Sequence, residues 1–138
     1  MLEVSVYGGG KVNKIIHQDK TFCQFDTLQN GYRAAALLLK KYINVYKLDT
    51  IEKIVGRWAP TNENNTKGYI EYVSFITGIY PDTSISFNEI KEVMRAMVMK
   101  ENGVFYDPYK QKATLKALTD GYMNAYHDVR YNVQGEKK

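Results

Sequence analysis

Apolar residues recur at helical spacing through most of this chain, and no other feature constrains its fold as strongly. Leu28, Tyr32, Ala35 and Leu39, for example, fall on one face of a helix, because residues three or four positions apart lie one above another. Capping residues precede most of these segments, and a proline or glycine ends several of them. The pattern predicts five helices, at about 27–46, 50–58, 66–79, 87–101 and 111–128.

The first 25 residues follow a different pattern. "LEVSVY" and "TFCQF" alternate apolar with polar residues, and "KVNKIIH" is rich in β-branched residues, which is typical of strands. We therefore predict an α+β fold, mainly α, with a small N-terminal β-sheet and about five helices. The chain is expected to form one domain over residues 1–130, followed by a flexible tail at 131–138.

The composition narrows the kinds of site that the chain can carry. A single cysteine, Cys23, excludes an internal disulfide, and two histidines leave little for a metal centre. We therefore expect no metal and no cofactor. The net charge of +4 and the pI near 9.0 suit an anionic partner. The lysines are scattered, however, as on an ordinary soluble surface, so nucleic acid is an unlikely partner.

Targeting segments are not evident in the sequence. No apolar run reaches the roughly 18 residues that a transmembrane helix requires. The start, "MLEVSVYGGGK", lacks the basic-then-apolar order of a signal peptide. We predict no membrane span and no cleavable signal peptide.

The segment "GRWAPTNENNTKGYIEYV" (56–73) is a candidate ligand-binding region. It combines aromatic rings, a carboxylate, amides and a hydroxyl, which are the groups that bind polar ligands such as sugars. The candidate residues are Trp58, Glu63, Asn64, Asn65, Thr66 and Tyr69. Plainer interpretations stay open: Trp58 can fill the core, and Asn65 or Thr66 can simply cap a helix.

Glu101 is a candidate catalytic acid because it continues the apolar face of its helix. Ile90, Met94 and Met97 lie on that face, and Glu101 falls in the last turn, where the helix dipole is negative. The apolar face and the negative helix end both disfavour the charged form of the carboxylate, so we predict a raised pKa for Glu101. A glutamate with a raised pKa is suited to protonate a glycosidic oxygen. The alternative is a solvated residue at a frayed helix end.

Three stretches resemble a family of phage and prophage proteins: "FCQFDTLQNGYRAAALLLKKYI" (22–43), "TIEKIVGRWAPTNENNTKGYIEYVSFITG" (50–78) and "VMRAMVMKENG" (93–103). Members of this family are usually described as virion structural proteins and are similar to a phage murein lysin of lysozyme-like fold. In addition, "AMVMKENG" resembles the helix end that carries the catalytic glutamate of lytic transglycosylases and cell-wall glucosaminidases. The resemblance implies a lysozyme-like fold whose elements are circularly permuted.

The resemblance implies a peptidoglycan-degrading enzyme that cleaves the glycan strand and acts in the virion, or in the periplasm or cell wall of the host. Glu101 would then be the general acid, with Glu63 positioning water or stabilising positive charge on the sugar. Trp58 and Tyr69 would stack on sugars, and Asn64, Asn65 and Thr66 would bind their polar groups.

Two alternatives remain open at this point. The first is a non-catalytic virion or wall-binding protein, with other virion proteins as partners. The second is a murein peptidase that uses Cys23 with His17 or His127. Because Cys23 lies in a predicted strand, it lacks the helix N-terminus that would lower the pKa of its thiol.

Overall fold

The computed structural model describes residues 2–6, 15–17, 23–25, 28–58, 63–102 and 112–132. Five α-helices form most of this part of the chain. They are α1 (Leu28–Asn44), α2 (Ile51–Trp58), α3 (Glu63–Thr77), α4 (Ile90–Asn102) and α5 (Lys112–His127), with a 3-10 turn at Phe87–Glu89 before α4. Each helix overlaps one of the five predicted helices, so their predicted positions are confirmed.

Three short strands precede the helices along the backbone. They are β1 (Leu2–Val6), β2 (Ile15–His17) and β3 (Cys23–Phe25), in the order β2-β1-β3. Strand β1 pairs antiparallel with β2 and parallel with β3. The side chains described by the structure begin at α1, so the core discussed below consists of residues from the helices and their connectors.

The predicted fold class, α+β with a lysozyme-like and permuted arrangement, is wrong. In residues 28–58, 63–102 and 112–132, 78% of the residues are helical and none is in a strand. The apolar faces of the helices pack on one another in these ranges. The three short strands lie within the first 25 residues, where the alternation predicted them, and the error was to extend the resemblance to the whole architecture.

Helices α1 and α5 form the principal helix pair and run parallel. Early in α1, the backbone of Gln29 and Arg33 lies so close to Gly121 that a Cβ there would come within 2.8 Å of both. Near the end of α1, Lys40 donates hydrogen bonds to carbonyl oxygens at the end of α5, including that of Ala125. Asn44 then donates to the carbonyl of Tyr131 at 2.7 Å.

Lys40 is buried, with only 3% of its surface exposed. Its Nζ atom donates to the carbonyls of Ala125 at 3.2 Å, Tyr126 at 3.5 Å and Asp128 at 2.5 Å. It also lies 5.8 Å from the centre of the Phe87 ring. The last carbonyls of a helix lack partners within the helix, so Lys40 caps α5 from the neighbouring helix.

Helices α3 and α4 form the second layer, and the connector between them returns to α2. The backbone N–H of Ile85 donates to the Asp49 carbonyl at 2.7 Å, and that of Glu52 donates to the Pro81 carbonyl. Ser86 and Glu89 form the predicted capping box before α4. No described helix has both the length and the hydropathy required to span a bilayer.

The predicted domain limits are only partly covered by the described residues. Of the predicted tail, Tyr131 and Asn132 are described, whereas residues 133–138 lie outside the described part. The limits 1–130 and 131–138 therefore stay a prediction.

Candidate functional site at the junction of helices α3 and α4

The candidate site lies where the first turns of α3 meet the last turn of α4. Tyr69 of α3 contacts two successive residues of α4. The ammonium group of Lys100 lies 5.6 Å from the centre of the Tyr69 ring, and the carboxylate of Glu101 acts electrostatically on the Tyr69 phenol. Tyr69, near the middle of α3, therefore faces the last turn of α4. We call this region the α3–α4 junction.

Tyr69 is the buried member of the junction, with 4% of its surface exposed. Burial raises the pKa of its phenol well above the ordinary value of 10.0, and the negative charge of Glu101 raises it further. The phenol therefore keeps its proton at neutral pH and can act as a hydrogen-bond donor. A buried aromatic residue of this kind holds the end of α4 in place but offers no open ring face to a sugar.

Glu101 and Asn102 end α4 and are only partly exposed. Asn102 donates from its side chain to the carbonyl of Val98 at 2.9 Å, which satisfies one of the last carbonyls of the helix. Met97, one turn before Glu101, is 1% exposed, as the predicted apolar face requires. Glu101 thus lies at the edge of the core, between buried Met97 and the protein surface.

Asn65 and Thr66 lie in the first turns of α3, on the side of Tyr69. They precede Tyr69 by four and three residues, so the three residues share a helix face. Asn65 is exposed and Thr66 is partly buried. Their place on the Tyr69 face of α3 makes both residues candidates to contact a ligand held at Glu101.

The side chains of Glu63 and Asn64 lie outside the described part of the structure. The backbone of both residues is helical, since α3 begins at Glu63 rather than at residue 66 as predicted. The proposed pairing of the Glu63 and Glu101 carboxyl groups across one groove stays a prediction.

Trp58 fills the core, which is the plainer of its two interpretations. It is 1% exposed and packs edge-on against Tyr42, with ring centres 5.9 Å apart. Together with Met94 and Met97 of α4 it borders a cavity of about 10 Å³, roughly the volume that one water molecule needs. Trp58 therefore lies on the buried side of α4, and neither face of its ring is open to a ligand in this conformation.

Sequence reasoning missed one member of the junction, Lys100. It adjoins Glu101 in the sequence, yet only the packing of α3 against α4 brings its ammonium group over the Tyr69 ring. Within the described residues, no three histidine, cysteine, aspartate or glutamate side chains are grouped so that they could hold a metal ion. The thiol of Cys23 and the imidazole of His17 lie outside the described side chains, whereas His127 is exposed at the end of α5.

Comparison with known proteins relates the chain to a phage protein. It is 38% identical over 104 residues to protein P5 of Pseudoalteromonas phage PM2. The match covers 75% of this chain and 64% of the relative, so the chain spans less than two thirds of the length of that protein. The chain is a phage-related protein.

No family model matches the sequence. The phage relative supports the predicted link to bacteriophage, and it is consistent with a virion-associated location. The name of the relative specifies no activity, and the likeness to a murein lysin of lysozyme-like fold receives no support from it.

Proposed function

We propose that this phage-related chain degrades bacterial peptidoglycan by cleaving the glycan strand, with Glu101 as the general acid. The observation that carries the proposal is the partly buried carboxyl group of Glu101 against the buried phenol of Tyr69, in the last turn of α4. General acids in glycoside cleavage need a carboxyl group that reaches substrate while its surroundings are shielded from water.

In the proposed reaction Glu101 transfers its proton to the glycosidic oxygen as the bond to the sugar carbon breaks. Water, or a hydroxyl group of the same sugar, then bonds to that carbon and releases a proton, which restores the acid form of Glu101. The Tyr69 phenol lies beside the carboxyl group and fixes its position. Asn65 and Thr66 would bind hydroxyl or N-acetyl groups of the glycan, a role that their place in the first turns of α3 permits. Glu63 and Asn64 keep their proposed roles, positioning water and binding sugar, on the same first turn.

Trp58 and Tyr69 no longer serve as sugar-stacking platforms in this proposal. Both rings are buried, so their contribution is to hold the end of α4 and the carboxyl group that it carries. The aromatic contacts that sugars commonly make would have to come from elsewhere on the surface.

The decisive comparison is between Glu101→Gln and Glu92→Gln on purified sacculi. The amide keeps the size and polarity of Glu101 but cannot donate the catalytic proton, so turnover should fall by roughly two to four orders of magnitude. Glu92 is on the same helix and pairs with Arg95 at 3.8 Å, so its amide variant should retain nearly wild-type activity. Mass spectrometry of the released muropeptides identifies the bond that is cut.

Equal turnover by the two variants would remove Glu101 from the mechanism. Muropeptides cut only in their peptide stems would instead support the peptidase alternative. Unfolding of Glu101→Gln, seen by circular dichroism, would make Glu101 a structural residue and refute its role as the acid.

A second candidate function is that of a non-catalytic virion protein, since Trp58 and Tyr69 are both buried and leave the junction without an open aromatic face. It predicts no release of muropeptides by the wild-type chain and stable association with purified phage particles. Only the absence of released muropeptides distinguishes this function from the enzyme, because an enzyme carried in the virion would also associate with phage particles.

A further inference from the structure

Away from the α3–α4 junction, cations and tyrosine rings interleave at the end where α1 and α5 finish. The ammonium group of Lys41 lies 5.4 Å from the centre of the Tyr46 ring and 5.3 Å from that of Tyr131. The guanidinium of Arg57 lies 5.6 Å from the Tyr46 ring. Lys47 lies at the same end of α1, where its Nζ atom donates a hydrogen bond to the Asn44 carbonyl at 3.0 Å. We call Lys41, Tyr46, Lys47, Arg57 and Tyr131 the basic–aromatic surface.

Two apolar side chains border this surface and face solvent. Val45 is 47% exposed beside Tyr46, which is itself 44% exposed, and Val129 is 64% exposed. Val129 belongs to the turn after α5 that Lys40 and Asn44 hold against α1. Exposed valine is ordinary when it occurs alone. Here two valines lie at the same end of the molecule as three cations and two tyrosines.

The charge of the surface is positive after its surroundings are counted. Lys41, Lys47 and Arg57 contribute three positive charges, and the surface includes no acidic residue. The nearby carboxylate of Asp128 is bound by Arg130 at 2.8 Å. The C-terminal ends of α1 and α5 add about half a negative charge each. The buried Lys40 ammonium group offsets the half charge at the end of α5, so the described groups sum to a positive charge and the surface attracts anions.

Backbone strain is concentrated at the same place. Among the described residues, Lys47 and Tyr131 are the two that are not glycine and have a positive φ, of 59° and 62°. The N–H of Leu48 donates to the Tyr42 carbonyl at 2.9 Å, so Lys47 lies in a turn that folds back on the end of α1. Residues other than glycine are strained in this conformation. A lysine and a tyrosine therefore occupy positions where glycine would favour stability.

We propose that the basic–aromatic surface docks the protein on a lipid bilayer that contains anionic headgroups. Lysine and arginine bind the phosphates, tyrosine suits the interface with its polar hydroxyl, and valine enters the boundary of the acyl chains. A nucleic acid fits less well. The cations on the Tyr46 ring compete with stacking bases, and exposed valines have no partner on a phosphate backbone.

The test uses flotation of the full chain with phospholipid vesicles. Wild type should float with vesicles of phosphatidylethanolamine and phosphatidylglycerol, less so as salt rises, and should not float with neutral phosphatidylcholine. Lys41→Gln with Lys47→Gln should weaken binding about thirtyfold. The control, Lys67→Gln with Lys116→Gln, removes the same charge from exposed positions elsewhere and should change binding little.

A second variant tests the apolar part of the surface. Val45→Ser with Val129→Ser keeps the charge and should weaken binding to anionic vesicles about tenfold. Equal binding of anionic and neutral vesicles, or an equal loss in the two double-lysine variants, would overturn the proposal. The proposal would also be overturned if the protein failed to float with vesicles but retarded single-stranded DNA in a gel. Glu101→Gln should float like wild type, so this test is independent of the proposed catalysis.

Discussion

Replacing Lys40 by methionine tests how much a buried ammonium group contributes to this fold. Methionine keeps most of the apolar stem but cannot donate to the carbonyls at the end of α5. Those of Tyr126 and Asp128 are partly buried and can bind water instead. The buried Ala125 carbonyl would retain only a long bond of 3.3 Å from the Asp128 N–H. A buried hydrogen bond to a charged donor contributes about 1.5–3 kcal/mol.

One opposing effect lowers the expected loss. Methionine carries no charge, so the free-energy cost of burying an ammonium group disappears. This gain offsets part of the lost hydrogen bonding. We therefore expect Lys40→Met to lower the free energy of unfolding by about 2 kcal/mol, measured by urea denaturation. Lys116→Met, at a lysine whose side chain is 78% exposed, should stay within about 0.5 kcal/mol of wild type.

The result that would refute this reasoning is a Lys40→Met protein as stable as wild type. The cost of burying the ammonium group would then equal the value of its three hydrogen bonds. The cap on α5 would contribute nothing to stability, and the close approach of α1 to α5 would have to be explained by apolar packing alone.

Three further outcomes follow from the described contacts. Gly121→Ala should lower the free energy of unfolding by about 1–3 kcal/mol in denaturant melts, because its Cβ would come within 2.8 Å of backbone atoms of α1. The control is Gly68→Ala in α3, where nothing lies within 4 Å of the added Cβ, and it should be neutral or stabilising. Burial raises the pKa values of Tyr42 and Tyr69, so ultraviolet titration should find both phenols still protonated above pH 10. Stability should fall above that pH, because the phenols lose their protons in the unfolded chain but keep them in the folded protein. A hydrogen bond from the adjacent guanidinium lowers the pKa of Asp128, so stability should fall as pH drops below about 4, and an acid titration should show a smaller fall for Asp128→Asn. An unshifted tyrosine titration, or identical acid curves, would contradict the last two.

Local signals allowed the helices to be predicted from the sequence. Thr50 accepts a hydrogen bond from the Lys53 N–H at 3.2 Å at the start of α2, and Ser86 and Glu89 form the expected capping box. Such contacts join residues three positions apart, so they can be read from the chain itself. The start of α3 was predicted three residues late, at 66 instead of 63, since helix ends are less sharply encoded than their apolar faces.

Contacts between distant segments could not be predicted in this way. The periodicity of α1 cannot reveal that Lys40 is buried, because the carbonyls that bind it are 85 to 88 residues further along the chain. Trp58 had two open interpretations until its packing against Tyr42 of α1, beside Met94 and Met97 of α4, placed it in the core. Of the candidate site, the meeting of Tyr69 with Glu101 required the packing of α3 on α4. The fold class failed because a resemblance was extended to architecture.

The parallel pairing of α1 with α5 also has a consequence for how the chain folds. Its hydrogen bonds join residues separated by 85 to 88 positions, so the first helix completes its core contacts only with the last. Closing so long a loop costs entropy before any contact compensates for it, and such topologies fold more slowly than helical proteins built from local contacts. During synthesis, the part of the apolar face of α1 that α5 covers must therefore stay exposed until residues 112–132 have emerged from the ribosome. That interval is when this chain would be most exposed to aggregation or to the action of a chaperone.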